Sequence, residues 1–347
     1  MAYKLLLCLI LAFSIQAETR YVVIGSGKLN VREKPVDGKI LFQLNKGDKV
    51  QVRAGGEDSE WVSIVSSDGK KGFASPEFLS RIPLDQIEKA EMIGVLQNSD
   101  KKDTAVLRVI GLNLGGWKGS SDVLPEYSYL GKKIIQDKEK ISLYSESGSG
   151  VMLLKEPVKW GCQNINGFKG TVNPQMHSVL SSEKGSVLAY YGTGKISSSG
   201  FRAIKEKKML KKLEASAVKI LLSKKISADK IKNLTPSAVQ EFEHPFLKKK
   251  FISARFSVQK DFMKDKIYTY YIVSSDSPEK ILFEHSEEQT DEMAAYGGQY
   301  YPVSAYSLDS IFYIVFSNSG FDSHIFSVHS FDGKTLKELM VGAGDAC

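Results

Sequence analysis

Between Tyr21 and Leu79 apolar and polar residues alternate in short runs. Lys49-Val50-Gln51-Val52-Arg53 and Trp61-Val62-Ser63-Ile64-Val65 both alternate with period two, the mark of a half-buried strand. Gly25-Ser26-Gly27, Asp37-Gly38, Lys46-Gly47-Asp48, Gly55-Gly56 and Asp68-Gly69 break the runs with turn residues. Ser75-Pro76-Glu77 then predicts a helical turn, with Ser as cap and Pro at its first position. About five short strands in a stretch of this length can bury a face only by curling into a small barrel.

The pattern changes after Pro83. Residues 83–103 contain a short helix-compatible run at Asp85–Ile93 and the polar Gln97-Asn98-Ser99-Asp100-Lys101-Lys102-Asp103, and they predict a linker. From residue 104 to 347 β-branched and aromatic runs return: Ala105–Leu112, a strand pair in Lys133–Tyr144 around Asp137-Lys138, Val151–Leu154, Gly185–Tyr191, Lys250–Val258, Ile267–Val273, Lys280–His285, Ile311–Phe316 and His324–His329. One segment has helical periodicity. In Ala203–Ser223, Leu210, Leu213, Ala217, Ile220 and Leu221 recur at helical spacing, with lysines mainly elsewhere. Thr235-Pro236 to Phe242 predicts a second helix from its cap signature. The fold class expected is mainly β or α+β: a small five-stranded barrel at 18–82, then a larger α+β domain at 104–347 with a mostly antiparallel sheet and one or two helices.

The N-terminus changes where this protein is expected to work. Met1-Ala2-Tyr3-Lys4 is a basic start, Leu5–Ile15 is apolar, and Gln16-Ala17 places a small residue before Glu18. That is the layout of a secretory signal peptide over 1–17. Its apolar run is too short for a membrane span. No later run reaches that length, so no transmembrane segment is expected in the mature chain and export to the periplasm or the extracellular space is. The formal charge of +7 falls to +6 without Lys4. A modest positive charge outside the cytoplasm favours anionic wall or membrane-surface partners over nucleic acid. Removing the signal also removes Cys8 and leaves Cys162 and Cys347. In an oxidising compartment such a pair favours a disulfide; two free thiols or a linkage to another chain are the alternatives.

The order of parts in 21–81 resembles a bacterial SH3-like (SH3b) domain. It has the Leu29-Asn30-Val31-Arg32 opening, the Lys46-Gly47 turn, Trp61 before a short strand, and Gly72-Phe73-Ala74 where the family usually shows Gly-Trp-Val. The resemblance implies a wall-targeting or protein-binding module. It makes Asn30, Arg32, Glu33, Trp61 and Phe73 candidate ligand contacts, while Leu29, Val31, Val50, Val52 and Ile64 read as core.

SH3b modules often accompany wall hydrolases, which would need a catalytic set elsewhere in the chain. Cys162 in Trp-Gly-Cys-Gln-Asn is not followed by the apolar helix a Cys/His peptidase needs. Among the five histidines only His324 and His329 lie close in sequence; Asp322 and His324 share a strand face as a weak metal pair, and no zinc motif occurs. Gly192-Thr193-Gly194-Lys195-Ile196 lacks the residues of a phosphate loop. Glu284, Glu287, Glu288, Asp291 and Glu292 form an acidic cluster that leaves carboxylate chemistry open. The expectation is an exported non-catalytic binding protein, without cofactor or metal, docking to peptidoglycan, another envelope component or an extracytoplasmic protein. The alternatives are a wall hydrolase with carboxylate chemistry in 104–347, and a surface or host-interaction protein in which the barrel is scaffold.

Overall fold

Short alternating strands with a turn every few residues leave the first segment one way to bury its apolar face. In the computed structural model, which describes residues 17–52, 60–98, 103–145, 148–160, 165–181, 187–261, 264–288, 299–319 and 323–346, they form β1 (Glu18–Val22), β2 (Leu29–Arg32), β3 (Ile40–Leu44), β4 (Lys49–Val52), β5 (Val62–Ser66), β6 (Lys71–Ala74) and β7 (Leu79–Ser80). The seven strands, rather than five, run in the order β3-β2-β6-β5-β4-β1-β7. Val22, Leu29, Val31, Val50, Val52, Val62, Ile64 and Leu79 form one core, with Val31 and Ile64 wholly enclosed. The expected turn is a 3-10 turn at Pro76–Phe78, although Ser75 makes no side-chain cap bond. The chain divides into two compact units, Met1–Glu88 and Lys89–Cys347. Of the signal peptide expected at 1–17, residues 1–16 lie outside the described residues.

The stretch expected to be a linker carries α1 (Leu84–Ile87) and β8 (Glu91–Asn98). The strand β8 is a structural member of the second unit, because it pairs along its length with β9 (Thr104–Asn113). The polar run that suggested a loop contributes only its first residues, Gln97 and Asn98, to that strand. Then follow β10 (Trp117–Gly119), α2 (Leu124–Asp137), β11 (Lys140–Ser145), β12 (Gly148–Trp160), β13 (Ile165–Val172), α3 (Pro174–Ser181) and β14 (Leu188–Tyr191). Pairing closes β8-β9-β13-β12-β11-β14 back onto β8, so these six strands form an antiparallel barrel. Closure removes the free edges that an open sheet would expose.

The strand pair expected around Asp137-Lys138 is corrected. Lys133 and Asp137 form the last turn of α2 and pair at 2.7 Å, and Lys138 ends the helix in the left-handed region with φ 55°. Only Lys140 onward is strand. Tyr127, Leu130 and Ile134 carry the helical spacing that marks α2, and all three are buried. Gly131 lets α2 approach Phe168, whose ring lies 2.0 Å from where a Cβ would sit.

The remaining strands make two antiparallel sheets. β15 (Ile196–Ser199) and β16 (Arg202–Ala203) each start one, and α4 (Lys207–Ser223) follows. β17 (Thr235–His244), β18 (Lys249–Asp261), β19 (Lys264–Ser274) and β20 (Ser277–Glu288) join β16 in the order β16-β17-β18-β19-β20. β21 (Gln299–Leu308), β22 (Ile311–Ser319), β23 (Ser323–Phe331) and β24 (Leu336–Ala346) join β15 in the order β15-β21-β22-β23-β24. The second unit thus holds three sheets rather than one. It also holds three of the four α-helices among the described residues, where one or two had been expected.

The helix expected at 235–242 is the strand β17. Its Thr-Pro start imitates a helix cap, but the segment pairs with β18 from Thr235↔Ser257 to His244↔Lys249. Pro236 sits at a bulge, and β16 pairs only with Gln240 and Glu241, so the missing N–H leaves no bond unmade. Tertiary pairing overrides the local signal.

Three clusters set the layers of this unit. Tyr313, Val315, Tyr306, Val328 and Met340 pack with Ile93, Val95, Ile110, Leu188 and Tyr190 of the barrel. Phe312, Ile314, Phe316, Phe331 and Leu336, from the opposite face of the same sheet, pack with Phe242, Phe251, Tyr270 and Ile272. Ile252, Ala254, Phe256, Tyr271 and Val273, on the far face of the β16–β20 sheet, pack beneath Leu213, Ala217, Ile220 and Leu221 of α4. The order is therefore barrel, sheet, sheet, helix.

Backbone meets backbone where β24 crosses the barrel. A Cβ on Gly342 would lie 1.9 Å from the Ile110 carbonyl oxygen, and one on Gly119 would lie 2.0 Å from that of Val341. Neither neighbour is a side chain that can turn aside. Gly342→Ala is expected to cost about 1–3 kcal/mol of stability as overpacking does; a urea denaturation midpoint equal to that of the wild type would contradict this close approach.

Candidate functional site

The alternation of β2 sends Leu29 and Val31 into the barrel core and leaves Asn30 and Arg32 half-exposed. Neighbours fix both polar side chains. Gln43 donates from Nε2 to Asn30 Oδ1 at 2.8 Å, and Arg32 donates from Nη1 to the Gly38 carbonyl at 2.9 Å. The Glu33 N–H donates to the Lys39 carbonyl at 2.9 Å, which closes the base of the 33–39 loop. Trp61 precedes β5, half-buried, next to the enclosed Val62. Past β6, Pro76 starts the 3-10 turn and brings Phe78 against the core. The Phe78 carbonyl accepts the Val23 N–H at 2.9 Å, so the turn is tied to the strand end beside it.

Between these parts lies a cleft of about 580 Å³, lined by Ile24, Lys28, Leu29, Asn30, Arg32, Glu60, Trp61, Ser75, Pro76, Glu77 and Phe78. The volume is that of an ordinary small-ligand site. Of the five contacts the sequence suggested, Asn30, Arg32 and Trp61 meet at the cleft. Glu33 and Phe73 do not line it: Glu33 stands exposed at the loop base, and Phe73 is paired by its backbone with Arg32 and Ser63. Sequence reasoning missed Lys28, Glu60, Glu77, Pro76 and Phe78. The Ser-Pro-Glu-Phe turn was visible, but nothing local shows that it folds back toward Trp61.

The cleft combines apolar wall with charge of both signs. Trp61, Pro76, Phe78 and Ile24 supply apolar wall, while Lys28 and Arg32 stand against Glu60 and Glu77. A second cleft, of about 510 Å³, lies in the other unit at the ends of β15–β17. Ser197–Arg202, Glu241, Glu243, Lys248 and Lys250 line it, and Lys250 pairs with Glu241 at 3.0 Å.

The other chemical candidates are absorbed by packing. In the acidic cluster Glu284 pairs with Lys224 at 2.5 Å, Glu288 pairs with Lys230, and Glu287 accepts from the Tyr268 hydroxyl at 2.9 Å. Asp291, Glu292 and Asp322 lie outside the described residues, as do Cys162 and Cys347 of the expected disulfide and the His324 side chain. Among the described residues no group of three or more His, Cys, Asp or Glu could hold a metal ion. In the Gly192–Ile196 loop the amides bond to protein: Gly194 N–H donates to the Tyr190 oxygen at 3.0 Å, and Lys195 N–H to Asp309 Oδ1 at 3.2 Å. Tyr190 in turn donates to Glu91 at 2.5 Å. Burial and that carboxylate raise the Tyr190 hydroxyl far above its ordinary range.

Burial disfavours the charged form of three histidines in the second unit, the buried His244 and His329 and the half-buried His285. His244 sits among Phe246, Phe251, Phe312 and Phe331, with Nε2 donating to the Phe331 carbonyl at 3.1 Å and Nδ1 accepting the Leu247 N–H at 3.3 Å. His285 meets the Tyr268 hydroxyl at 3.1 Å. His329 contacts Ser327 Oγ at 2.9 Å and packs near-perpendicular to Phe316, with ring centroids 4.9 Å apart. Burial lowers all three pKa values, that of His329 to about 4. With its ring neutral at pH 7, the 3.7 Å contact to Glu338 is no ion pair.

The sign of the pH effect follows. His329 titrates near 6.5 when unfolded and about 4 when folded, so the unfolded state binds the extra proton between those values. Stability is complete above pH 6.5 and falls as pH drops through 4, by roughly 3 kcal/mol from this residue. Urea midpoints at neutral and acid pH should therefore differ less in His329→Gln than in the wild type; an unchanged difference would remove His329 as the cause.

Comparison with known proteins bears on the first unit alone. No curated protein matches this chain. The family model of the bacterial SH3 domain matches residues 27–80, the segment that carries the Leu-Asn-Val-Arg strand, Trp61, the Pro76–Phe78 turn and most of the lining of the cleft between them.

Proposed function

We propose that this is an exported, non-catalytic binding protein whose SH3-like module docks to the bacterial cell wall. The observation that carries the reading is the cleft between β2 and the Pro76–Phe78 turn. It joins an aromatic and proline wall to both signs of charge, Lys28 and Arg32 against Glu60 and Glu77. Such a lining suits a short peptide that carries amine, carboxylate and amide groups, as the peptide part of peptidoglycan does. Bidentate Arg32 would favour a carboxylate, the two glutamates an amine, and Trp61 the intervening apolar stem. The basic, apolar start at 1–17 supports export, since this is the layout a secretory signal needs.

Co-sedimentation with purified peptidoglycan tests the docking. Wild-type protein is expected to pellet with the wall, and Trp61→Ala and Glu77→Gln each to weaken binding at least tenfold, the scale of one well-buried contact. Glu77 is exposed, so its replacement leaves the barrel intact. Pelleting of a protein partner in place of the wall would move the cleft to protein recognition. Release of soluble wall fragments would make the protein a hydrolase.

The cysteine pair belongs to the same exported reading. Non-reducing peptide mapping is expected to recover a peptide joining Cys162 and Cys347. A bridge closing so long a loop would stabilise the fold by about 4–5 kcal/mol in the chain-entropy account. Quantitative alkylation of both thiols without reductant would reject the bridge.

A further inference from the structure

The outward face of α4 carries a run of lysines. Lys207, Lys208, Lys211, Lys212 and Lys219 are all exposed. At roughly 100° per residue they fall within one arc of about 140°. The opposite arc bears Leu213, Ala217, Ile220 and Leu221, which are buried against the β16–β20 sheet. Within the basic arc lie Ala215, the half-buried Val218 and Leu222 but no acid, and Glu214 falls just outside its edge. None of the five lysines enters a hydrogen bond or ion pair among the described residues. Lys224 and Lys230, just past the helix, are by contrast paired with Glu284 and Glu288. The helix also bears like charges at i,i+4, Lys207 with Lys211 and Lys208 with Lys212, which oppose its formation. The buried face holds the helix in place in spite of them.

We propose that this face of α4 docks on an anionic lipid bilayer surface. Charge complementarity asks for a dense array of anions, because five unpaired lysines along a ridge of about 20 Å gain little from a single anion. Leu222 selects lipid over a soluble polyanion. It is 46% exposed, a large apolar side chain on the same face as the lysines, one turn beyond Lys219. Hydrocarbon gains free energy at the boundary of headgroup and acyl chain, and gains none from a phosphate polymer. The stem of Lys219, one turn before it, can lie beside it with its ammonium group among the headgroups. Since the apolar face of α4 is already covered by the sheet, docking needs no unfolding and uses the folded unit as it stands. This surface lies in the second unit and is independent of the cleft around Trp61.

Vesicle co-sedimentation of the full chain tests the proposal. Binding is expected on phosphatidylcholine vesicles containing about one-third phosphatidylglycerol, absent on phosphatidylcholine alone, and lost at high salt as the Debye length shortens. Each lysine near such a surface raises partitioning roughly fivefold, so K207Q/K208Q/K211Q/K212Q/K219Q should lower it by more than about 100-fold. Glutamine keeps good helix propensity, and an unchanged unfolding transition confirms that the fold survives. Leu222→Gln should lower vesicle binding severalfold and leave binding of soluble polyphosphate unaltered, and Trp61→Ala should leave vesicle binding as it was. Equal binding to both vesicle types, no binding to the anionic vesicles, or full binding by the five-lysine variant overturns the proposal. So does tight polyphosphate binding together with vesicle binding that is insensitive to Leu222→Gln; that outcome assigns the face to a polymer.

Discussion

The sheet made by β15 and β21–β24 is buried on both faces, and the second unit is built around that constraint. Along β22, Phe312, Ile314 and Phe316 point to the neighbouring sheet, while Tyr313 and Val315 point to the barrel. A half-exposed strand would alternate with polar residues; this one reads as continuous apolar sequence because neither face sees water. Each fully buried large side chain contributes about 1.5–3 kcal/mol, so separating any layer from this sheet would expose several at once. Phe242 shows how closely the layers are joined: its ring stacks on Phe251 at 5.8 Å and Phe312 at 5.9 Å, one from each sheet.

Several polar groups inside these layers are placed where partners exist, although the wholly buried Tyr306 hydroxyl has no hydrogen bond among the described residues. The Tyr271 hydroxyl donates to the Leu213 carbonyl at 2.5 Å, fixing α4 to the sheet, and Ser253 donates to the Tyr270 oxygen at 3.0 Å. Arg255, wholly enclosed, donates to Ser237 at 2.7 Å and stacks over Tyr268 and Tyr301. A buried charge or ring nitrogen without such contacts would cost several kcal/mol, so these bonds also restrict which strand register is acceptable. His329 obeys the same rule, since burial holds its ring neutral at pH 7.

The two units differ in how they present chemistry to the outside. In the first, the barrel is too small to enclose a ligand, and its cleft is assembled on the surface by a strand and a turn far apart in sequence. In the second, the interior is filled by aromatic packing, and the outward features are charged side chains on a helix whose inner face is fully used. Binding at the first depends on shape and mixed charge, whereas the helix face presents a single sign over a long ridge.

By itself the sequence determined the elements whose signal is local: the short strands and turns of 21–81, the Pro76 turn, the apolar stripe of α4, and the mainly antiparallel β character. Asn30, Arg32 and Trp61 could be named because the SH3-like order of parts is carried by short motifs. Only the tertiary structure decided the rest. Thr235-Pro236 is a good helix start until β18 pairs with it, and Tyr127, Leu130 and Ile134 show their helix only once Phe168 receives it. Barrel closure by β8 and β9, the layer order, and the meeting of Pro76 and Phe78 with Trp61 depend on contacts between residues distant in the chain. Such contacts leave no periodicity, since burial of a face fixes how residues alternate but not which surface covers them.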